Sequence, residues 1–324
     1  MPMLTIIIVS WNVRDLLQRC IASLHASLAG SAISYEIVVV DNASHDGTSA
    51  LLRTTHPEVR LIESGANLGF AGGNNLGLRA VLAQPNPPEY VFVLNPDTEV
   101  LADSVAHLVG WMQRHPDAAV AGPLLRYADG SIQSSRRRFP SMGVYLFEST
   151  PLEGRWPHNP WVRRYRMADT ADDREQNVDW LVGAALLIRR SAIEQVGLFD
   201  ARFSLYSEEL EWQRRLHCAG RIVFVPTAEI IHYEGQSSAQ IPTRRLILFH
   251  TNRLRYIHMT NGAMAARIIK WFIMAAYGIE LLLEGAKWLI GQKRELRAQR
   301  IHSYTAFLRA LSGVTRWHGD GMIG

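Results

Sequence analysis

The residues best placed to do chemistry lie in VFVLNPDTEV, Val91 to Val100. Val91, Phe92, Val93 and Leu94 read as a buried strand. Asn95-Pro96-Asp97 ends it abruptly, because a residue before proline is driven out of the helical region. Asp97 is thereby held at the carboxyl end of a strand, the edge where open α/β sheets bind ligands. A carboxylate beside an Asn carbonyl suits a hard divalent cation that also holds phosphate oxygens. The competing reading is a plain turn leading into a helix from Leu101. Asp41, at the end of YEIVVVD, offers an acceptor for a nucleobase imide or ribose hydroxyl, or else serves an Asx-turn. Asn67 to Asn75, NLGFAGGNN, concentrates small residues ahead of a helix, where backbone approach and free N–H groups suit phosphate. It is neither GxGxxG nor a Walker loop, and an ordinary Gly-rich loop competes with the phosphate reading.

The elements that must position these groups follow from the pattern. Leu4 to Val9 is an apolar strand, and Leu16, Leu17, Cys20, Ile21, Leu24 and Leu28 recur at helical spacing over Asp15 to Leu28. Strands are expected at Glu36–Val40 and Val59–Glu63, and helices at Ser49–Thr55 and into Leu82. This alternation implies an α/β fold with a mostly parallel central sheet and flanking helices. The 324 residues allow a large domain with an extension, and 48% hydrophobic with 20% charged side chains is globular composition. Net charge is +4, unevenly spread: residues 1–239 carry 21 basic and 26 acidic side chains, residues 240–324 carry 13 and 4. A basic tail on an acidic body suggests an anionic partner for the tail. The two cysteines, Cys20 and Cys218, form no CxxC pair, which fits a reducing compartment. Leu4 to Val9 is too short for a signal peptide.

Four motifs stand in order: SWN at Ser10–Asn12, VVDNASHDGT at Val39–Thr48, NLGFAGGNNLG at Asn67–Gly77 and LNPDTE at Leu94–Glu99. With the block from Asp179 to Gly235, they resemble family 2 glycosyltransferases of the rhamnosyltransferase branch, over about residues 4–235. The resemblance implies a glycosyltransferase A fold, a nucleotide-diphospho-sugar donor and an inverting mechanism. It implies that Ser10, Asn12, Asp41, Asn42, Asn67, Gly69, Asn74, Asn95 and Asp97 face the donor. Asp97 and His232, in AEIIHYEG, match the metal ligands, for Mn²⁺ or Mg²⁺. Asn95 stands where relatives carry the first Asp of a DxD motif. Glu208-Glu209 matches the family's acidic pair, whose second member, Glu209, is the base. Glu208 and Glu211 also suit a helix start favoured by the dipole. Trp180 and Gly183 are acceptor-side candidates: an aromatic face for a sugar ring and a small residue that permits close approach. Core packing competes for Trp180. Arg244 and Arg245 are candidates to clasp the diphosphate.

The expected division is a catalytic domain over residues 1–239 and a basic amphipathic tail over 240–324. Arg136-Arg137-Arg138 reads as a solvated charge run in an insertion, with an acceptor-side loop as the alternative. On a wheel at ~100° per residue, Ile268, Trp271, Ile279, Leu282 and Leu289 share one face. Arg267, Lys270, Glu280, Glu284 and Lys287 lie opposite. The uncharged run Trp271–Ile279 falls short of the ~20 residues a spanning helix needs. A helix in the interface of an anionic membrane and a dimer or domain contact are equal readings. No nucleic-acid-binding module surrounds the basic residues. The expectation is a cytoplasmic enzyme held peripherally at the inner face of the membrane. It would move L-rhamnose from dTDP-rhamnose to a hydroxyl of a growing, lipid-linked glycan. A nucleotidyltransferase and a non-catalytic nucleotide-sugar-binding scaffold are the rivals.

Overall fold

The computed structural model describes residues 2–235 and 240–313. Its elements are, in order, β1 (Leu4–Ser10), α1 (Arg14–Leu28), β2 (Tyr35–Asp41), α2 (Thr48–Thr55), β3 (Arg60–Glu63) and α3 (Gly69–Leu82). Then come β4 (Tyr90–Leu94), β5 (Thr98–Val100), α4 (Ser104–Arg114), β6 (Ala118–Arg126), β7 (Ile132–Gln133) and β8 (Arg136–Arg137). Three short helices follow, α5 (Met142–Phe147), α6 (Pro151–Arg155) and α7 (Pro160–Tyr165), then β9 (Gln176–Asn177), β10 (Trp180–Leu181) and β11 (Ala185–Arg189). The chain closes with α8 (Arg190–Val196), α9 (Glu208–Leu216), β12 (Arg221–His232), α10 (Pro242–Leu289) and α11 (Arg294–Gly313).

Two compact units result. The first holds the described part of Met1–Arg138, Asp169–Ser204 and Glu208–Ser237. Its main sheet runs β3-β2-β1-β4-β11-β6-β12-β5. The first four strands are parallel, as the βαβ alternation predicts, whereas β11 and β5 enter antiparallel. The parallel strands are covered on both faces, so β1 and β4 are apolar throughout their middle and fully buried there. Each such Ile, Leu or Val contributes about 1.5–3 kcal/mol by leaving water.

One local expectation fails. The Gly-rich segment after Asn67 is mostly helix: α3 begins at Gly69, so Gly72 to Asn75 lie inside it. Its glycines let the helix lie close on the sheet. A Cβ at Gly73 would sit 2.6 Å from Val9 Cγ1, and one at Gly77 would sit 2.8 Å from Ile7 Cγ2.

The second unit holds Phe139–Ala168, Leu205–Ser207 and the described part of Ser238–Gly324. The tail therefore does not stand alone, because the insertion helices α5 to α7 cluster with it. The Arg253 guanidinium of α10 donates to the Glu148 carbonyl (2.6 Å) and the Val144 carbonyl (3.1 Å) at the end of α5. Helix α10 breaks at Gly262, whose φ of 86° is left-handed and suits only glycine easily. Buried Glu284 joins α10 to α11 through Arg297 (2.8 Å) and Arg300 (3.4 Å), and pairs with Lys287 of its own helix (3.4 Å). This packing inverts the usual amphipathic order. Lys270 and Glu284 are buried, while Met264, Ile268, Trp271, Ile279, Leu282, Leu289 and Ile290 are exposed. At 1.5 Å per residue, this apolar stripe is about 40 Å long.

Candidate active site

The opening motif forms a buried pair. Asp97 and His232 are 6% and 5% exposed, with Asp97 Oδ1 3.4 Å from His232 Nε2. Three backbone links hold the turn that carries Asp97. The Asn95 amide donates to the Ala184 carbonyl (2.9 Å), the Tyr233 amide donates to the Asp97 carbonyl (2.9 Å), and Thr98 pairs with His232 in the β5–β12 ladder. Thr98 Oγ1 closes the turn on the Asn95 carbonyl (2.7 Å). Beneath it, burial pushes the Cys20 thiol up to about 12, so this cysteine is an inert packing group.

The tautomer of His232 follows from a chain of partners. Glu234 Oε2 accepts from Gln133 Nε2 (2.9 Å), which turns Gln133 Oε1 toward His232 Nδ1 (2.9 Å). With Nδ1 donating, the lone pair of Nε2 faces Asp97. Asn95 Nδ2 reaches the same Nε2 at 3.4 Å. A carboxylate and an imidazole lone pair facing each other, with the imidazole oriented by an outer partner, fit one divalent cation. Two protein ligands leave the remaining positions to phosphate oxygens and water.

Glu209 lies in the first turn of α9, where Glu208, Glu209 and Glu211 complement the helix dipole. Its side chain packs on Gly183: a Cβ there would sit 3.2 Å from Glu209 Cβ and 3.3 Å from Cγ. The small residue at 183 therefore makes room for the acid rather than for a sugar ring. Burial pushes the Glu209 carboxyl above its ordinary 4.5, against the pull of the Glu209 and Leu210 amides and the Arg137 charge. Glu209 Oε2 is sealed from solvent and makes no hydrogen bond. Gln213 fixes the helix. It accepts from the Leu181 amide (2.8 Å) and donates to the Leu181 carbonyl (2.7 Å) and the Glu209 carbonyl (3.1 Å). Glu211 is neutralised by two bonds from Arg215 (2.7 and 2.8 Å) and serves the fold.

The loops after β1 and β2 meet at the sheet's carboxyl edge, as expected, but many of their side chains are spent on one another. Asp41 accepts from the Ser44 amide (3.2 Å) and Ser49 Oγ (2.6 Å). Asn12, at a left-handed φ of 53°, accepts from the His45 amide (2.8 Å). Asn42 clamps the next loop: its Oδ1 accepts from the Leu68 amide (3.0 Å), and its Nδ2 reaches Asn67 Oδ1 (3.2 Å) and the Gly69 carbonyl (3.1 Å). Gly69 has a φ of +72°, and a Cβ there would lie 2.3 Å from the Ser204 carbonyl oxygen, which accepts from the Phe70 amide. That glycine is required by close approach.

Several expected site residues sit elsewhere. Ser10 is fully buried, so it lies under the edge rather than on it. Asn74 is 1% exposed inside α3 and bonds the Phe70 carbonyl of its own helix (3.0 Å), so it lines no phosphate loop. Trp180 is 7% exposed in the β8–β10 ladder, with its indole N–H on the Arg138 carbonyl (3.1 Å), and presents no open face to a sugar. The basic run is not wholly solvated: Arg136 is 4% exposed and bound by Thr170, Ala171, Asp172 and Gln176, while Arg137 and Arg138 are partly exposed. Arg244 and Arg245 are exposed on α10 in the second unit, Arg245 lying 5.8 Å from the Tyr206 ring centroid. Gln133 and Gln213 carry positioning roles, and Arg137 a charge felt at Glu209, that no local sequence signal announces.

With this geometry in place, comparison with known proteins is informative. The profile of "Glycosyl transferase family 2" matches residues 5–197. An N-acetylglucosaminyl-diphospho-decaprenol L-rhamnosyltransferase of Mycobacterium tuberculosis is 33% identical over 85% of this chain and 91% of its own length. The rhamnosyltransferase WbbL of Escherichia coli is 26% identical over 71% of this chain and 83% of its own. A mannosyltransferase of Pyrobaculum calidifontis, solved with GDP-Man and Mn²⁺, superposes with TM-score 0.52 at 18% identity over 96% of this chain and 86% of its own.

Proposed function

Since the chain belongs to glycosyl transferase family 2, we propose that it transfers L-rhamnose from dTDP-rhamnose to a lipid-linked, diphosphate-bearing glycan, with inversion at the anomeric carbon. It is a rhamnosyltransferase-like glycosyltransferase of the glycosyltransferase A type, with a nucleotide-sugar donor. The sugar, acceptor, metal use and stereochemistry are our proposal. The M. tuberculosis and E. coli relatives support rhamnose, and the former also supports a polyprenyl-diphosphate acceptor.

The observation that carries the chemistry is the Asn95–Ala184 backbone hydrogen bond. On one side of it stands Asp97 with His232, on the other Gly183 with Glu209. Asp97 and His232 would hold Mn²⁺ or Mg²⁺ against the donor diphosphate. When bound, that ion neutralises charge that develops on the leaving group. Asp41, Asn12, Asn67 and the Gly69 backbone form the nucleotide side, with Asn42 holding the loops in place. Glu209 takes the acceptor hydroxyl proton as the new bond to the anomeric carbon forms, and the raised affinity of its carboxyl for protons suits that task. Expulsion of the nucleoside diphosphate from the opposite face inverts the centre.

The test is direct. With dTDP-L-rhamnose, a polyprenyl-diphospho-GlcNAc acceptor and Mn²⁺, we expect a rhamnosylated product of inverted configuration by NMR. Retention of configuration overturns the mechanism, and a higher kcat/KM with another nucleotide sugar replaces the donor. Donor binding with neither transfer nor hydrolysis would favour the scaffold reading.

We assign the stripe on α10 to the interface of an anionic membrane, which would deliver such an acceptor and place the enzyme peripherally at the inner face. Trp271, Leu282 and Leu289 are 65%, 75% and 71% exposed, and Lys293 and Arg294 follow immediately. Among the described residues no helix is long and apolar enough to cross a membrane. Leu282→Glu with Leu289→Glu is expected to abolish flotation with phosphatidylglycerol vesicles and to leave transfer to a detergent-soluble acceptor unchanged. A concentration-dependent dimer that the same variant dissociates would make the stripe a subunit contact instead.

A further inference from the structure

A second cluster of ligating side chains stands at the amino edge of the parallel strands. His25 lies in the last turn of α1, His56 caps the end of α2, and Glu58 follows two residues on, before β3. Beside them Tyr35 begins β2, whose other end, Asp41, is about 20 Å away at ~3.3 Å per residue. Nothing in the proposed transfer reaction uses this cluster.

The donor atoms converge. His25 Nε2 is 3.2 Å and His56 Nδ1 3.3 Å from Glu58 Oε1. All three donors lie within 4.8 Å of one another. A tetrahedral ion with ligands at about 2.0–2.1 Å requires neighbouring donors about 3.3 Å apart. Two edges of that tetrahedron are thus already set, and the third, between His25 and His56, spans no more than 4.8 Å. His25 is also oriented by an outer partner, since its Nδ1 is 2.8 Å from Tyr35 Oη. The Tyr35 hydroxyl is placed to accept from Nδ1–H. The lone pair of Nε2 then faces Glu58, as in metal sites whose histidines are held from behind.

We propose that His25, His56 and Glu58 form a site for a borderline transition-metal ion of the Zn²⁺ class, separate from the Asp97–His232 pair. Two imidazoles with one carboxylate match that ion and leave a fourth position to water. Coordination through His56 Nδ1 leaves its proton on Nε2, a buried atom without a protein partner. That cost makes the site moderate in affinity, in the micromolar range rather than that of a closed structural zinc. The ion would pin α1, α2 and the start of β2 together and stiffen the first βαβ unit.

The test uses the full chain carrying Asp97→Ala and His232→Ala, so that the catalytic pair takes no ion. After chelator treatment, calorimetric titration with ZnCl2 is expected to show one ion per chain, and Co²⁺ to show the visible bands of a tetrahedral site. Saturating Zn²⁺ should raise Tm by about 5 °C. Adding either His25→Ala or His56→Ala should weaken binding at least ~10-fold. Glu58→Gln, which preserves size, should do the same, and circular dichroism without metal verifies that each variant is folded. Absence of Zn²⁺ binding in the Asp97→Ala/His232→Ala chain overturns the proposal. So does binding that survives His25→Ala with His56→Ala.

Discussion

Glu209→Gln is expected to lose about 10²–10⁴-fold in kcat while the fold stays intact. The amide keeps the volume that packs on Gly183 but cannot take a proton. The accompanying stability change separates this loss from unfolding. Burial raises the carboxyl's affinity for protons in the native state, so the native state binds more protons than the unfolded chain as pH rises through 4.5. Stability contributed by the protonated form is fully present below 4.5 and lost as pH rises through the higher native value. Gln mimics the protonated form, so at neutral pH the variant should melt no lower than wild type, and donor binding should be retained. In wild type the acid limb of kcat/KM should fall at a pH above 4.5, and the residual activity of the variant should lack it. Near-normal turnover by Glu209→Gln would move the base to Glu208, since Glu211 is committed to Arg215.

Asp97→Ala is expected to abolish measurable turnover, a loss of about 10³-fold or more, with KM for the donor raised at every metal concentration. Several kcal/mol of leaving-group stabilisation depend on charge placed at the diphosphate, and ~4 kcal/mol is already close to a factor of 10³. His232→Ala should resemble it. Gln133→Leu should behave differently: it leaves both ligands in place but frees the imidazole to turn. Metal affinity should then fall 10–100-fold, with activity recovered as Mn²⁺ is raised. Wild-type turnover that persists in excess EDTA would remove the cation from the scheme, and a Gln133→Leu enzyme insensitive to Mn²⁺ would remove Gln133 from it.

What was legible in the chain was what depends on near neighbours. Asn95-Pro96 announced the end of β4, and the apolar runs announced parallel strands buried on both faces. Gly69 to Gly77 misled because glycine signals a loop, whereas here it lets a helix approach Val9 and Ile7. Long-range pairing hid the rest. Gln133 acts on a histidine 99 residues away, and Gln213 on a strand 32 residues away. Trp180 looked like a sugar platform because nothing nearby shows that a two-residue ladder with Arg136–Arg137 covers it. The tail helix was legible only from Arg267, because its earlier turns bury polar groups, among them His250, Asn252 and Arg253.

The three residues Leu205–Ser207 group with the tail unit, although Ser204 and Glu208 on either side belong to the sheet unit. Tyr206 and Ser207 both take left-handed backbone angles (φ 69° and 70°), Tyr206 stacks edge-on against Phe249, and the Leu205 carbonyl accepts from Asn252 Nδ2 (2.7 Å). The tail is therefore no interchangeable cassette. A graft at residue 239 between relatives would carry the long helices but leave behind the triplet that leads directly into the helix of the base, together with α5 to α7. Divergence of the tail and of the segment 205–207 must then proceed together, and pairs of substitutions across Tyr206 and Phe249 are where a lineage would record it.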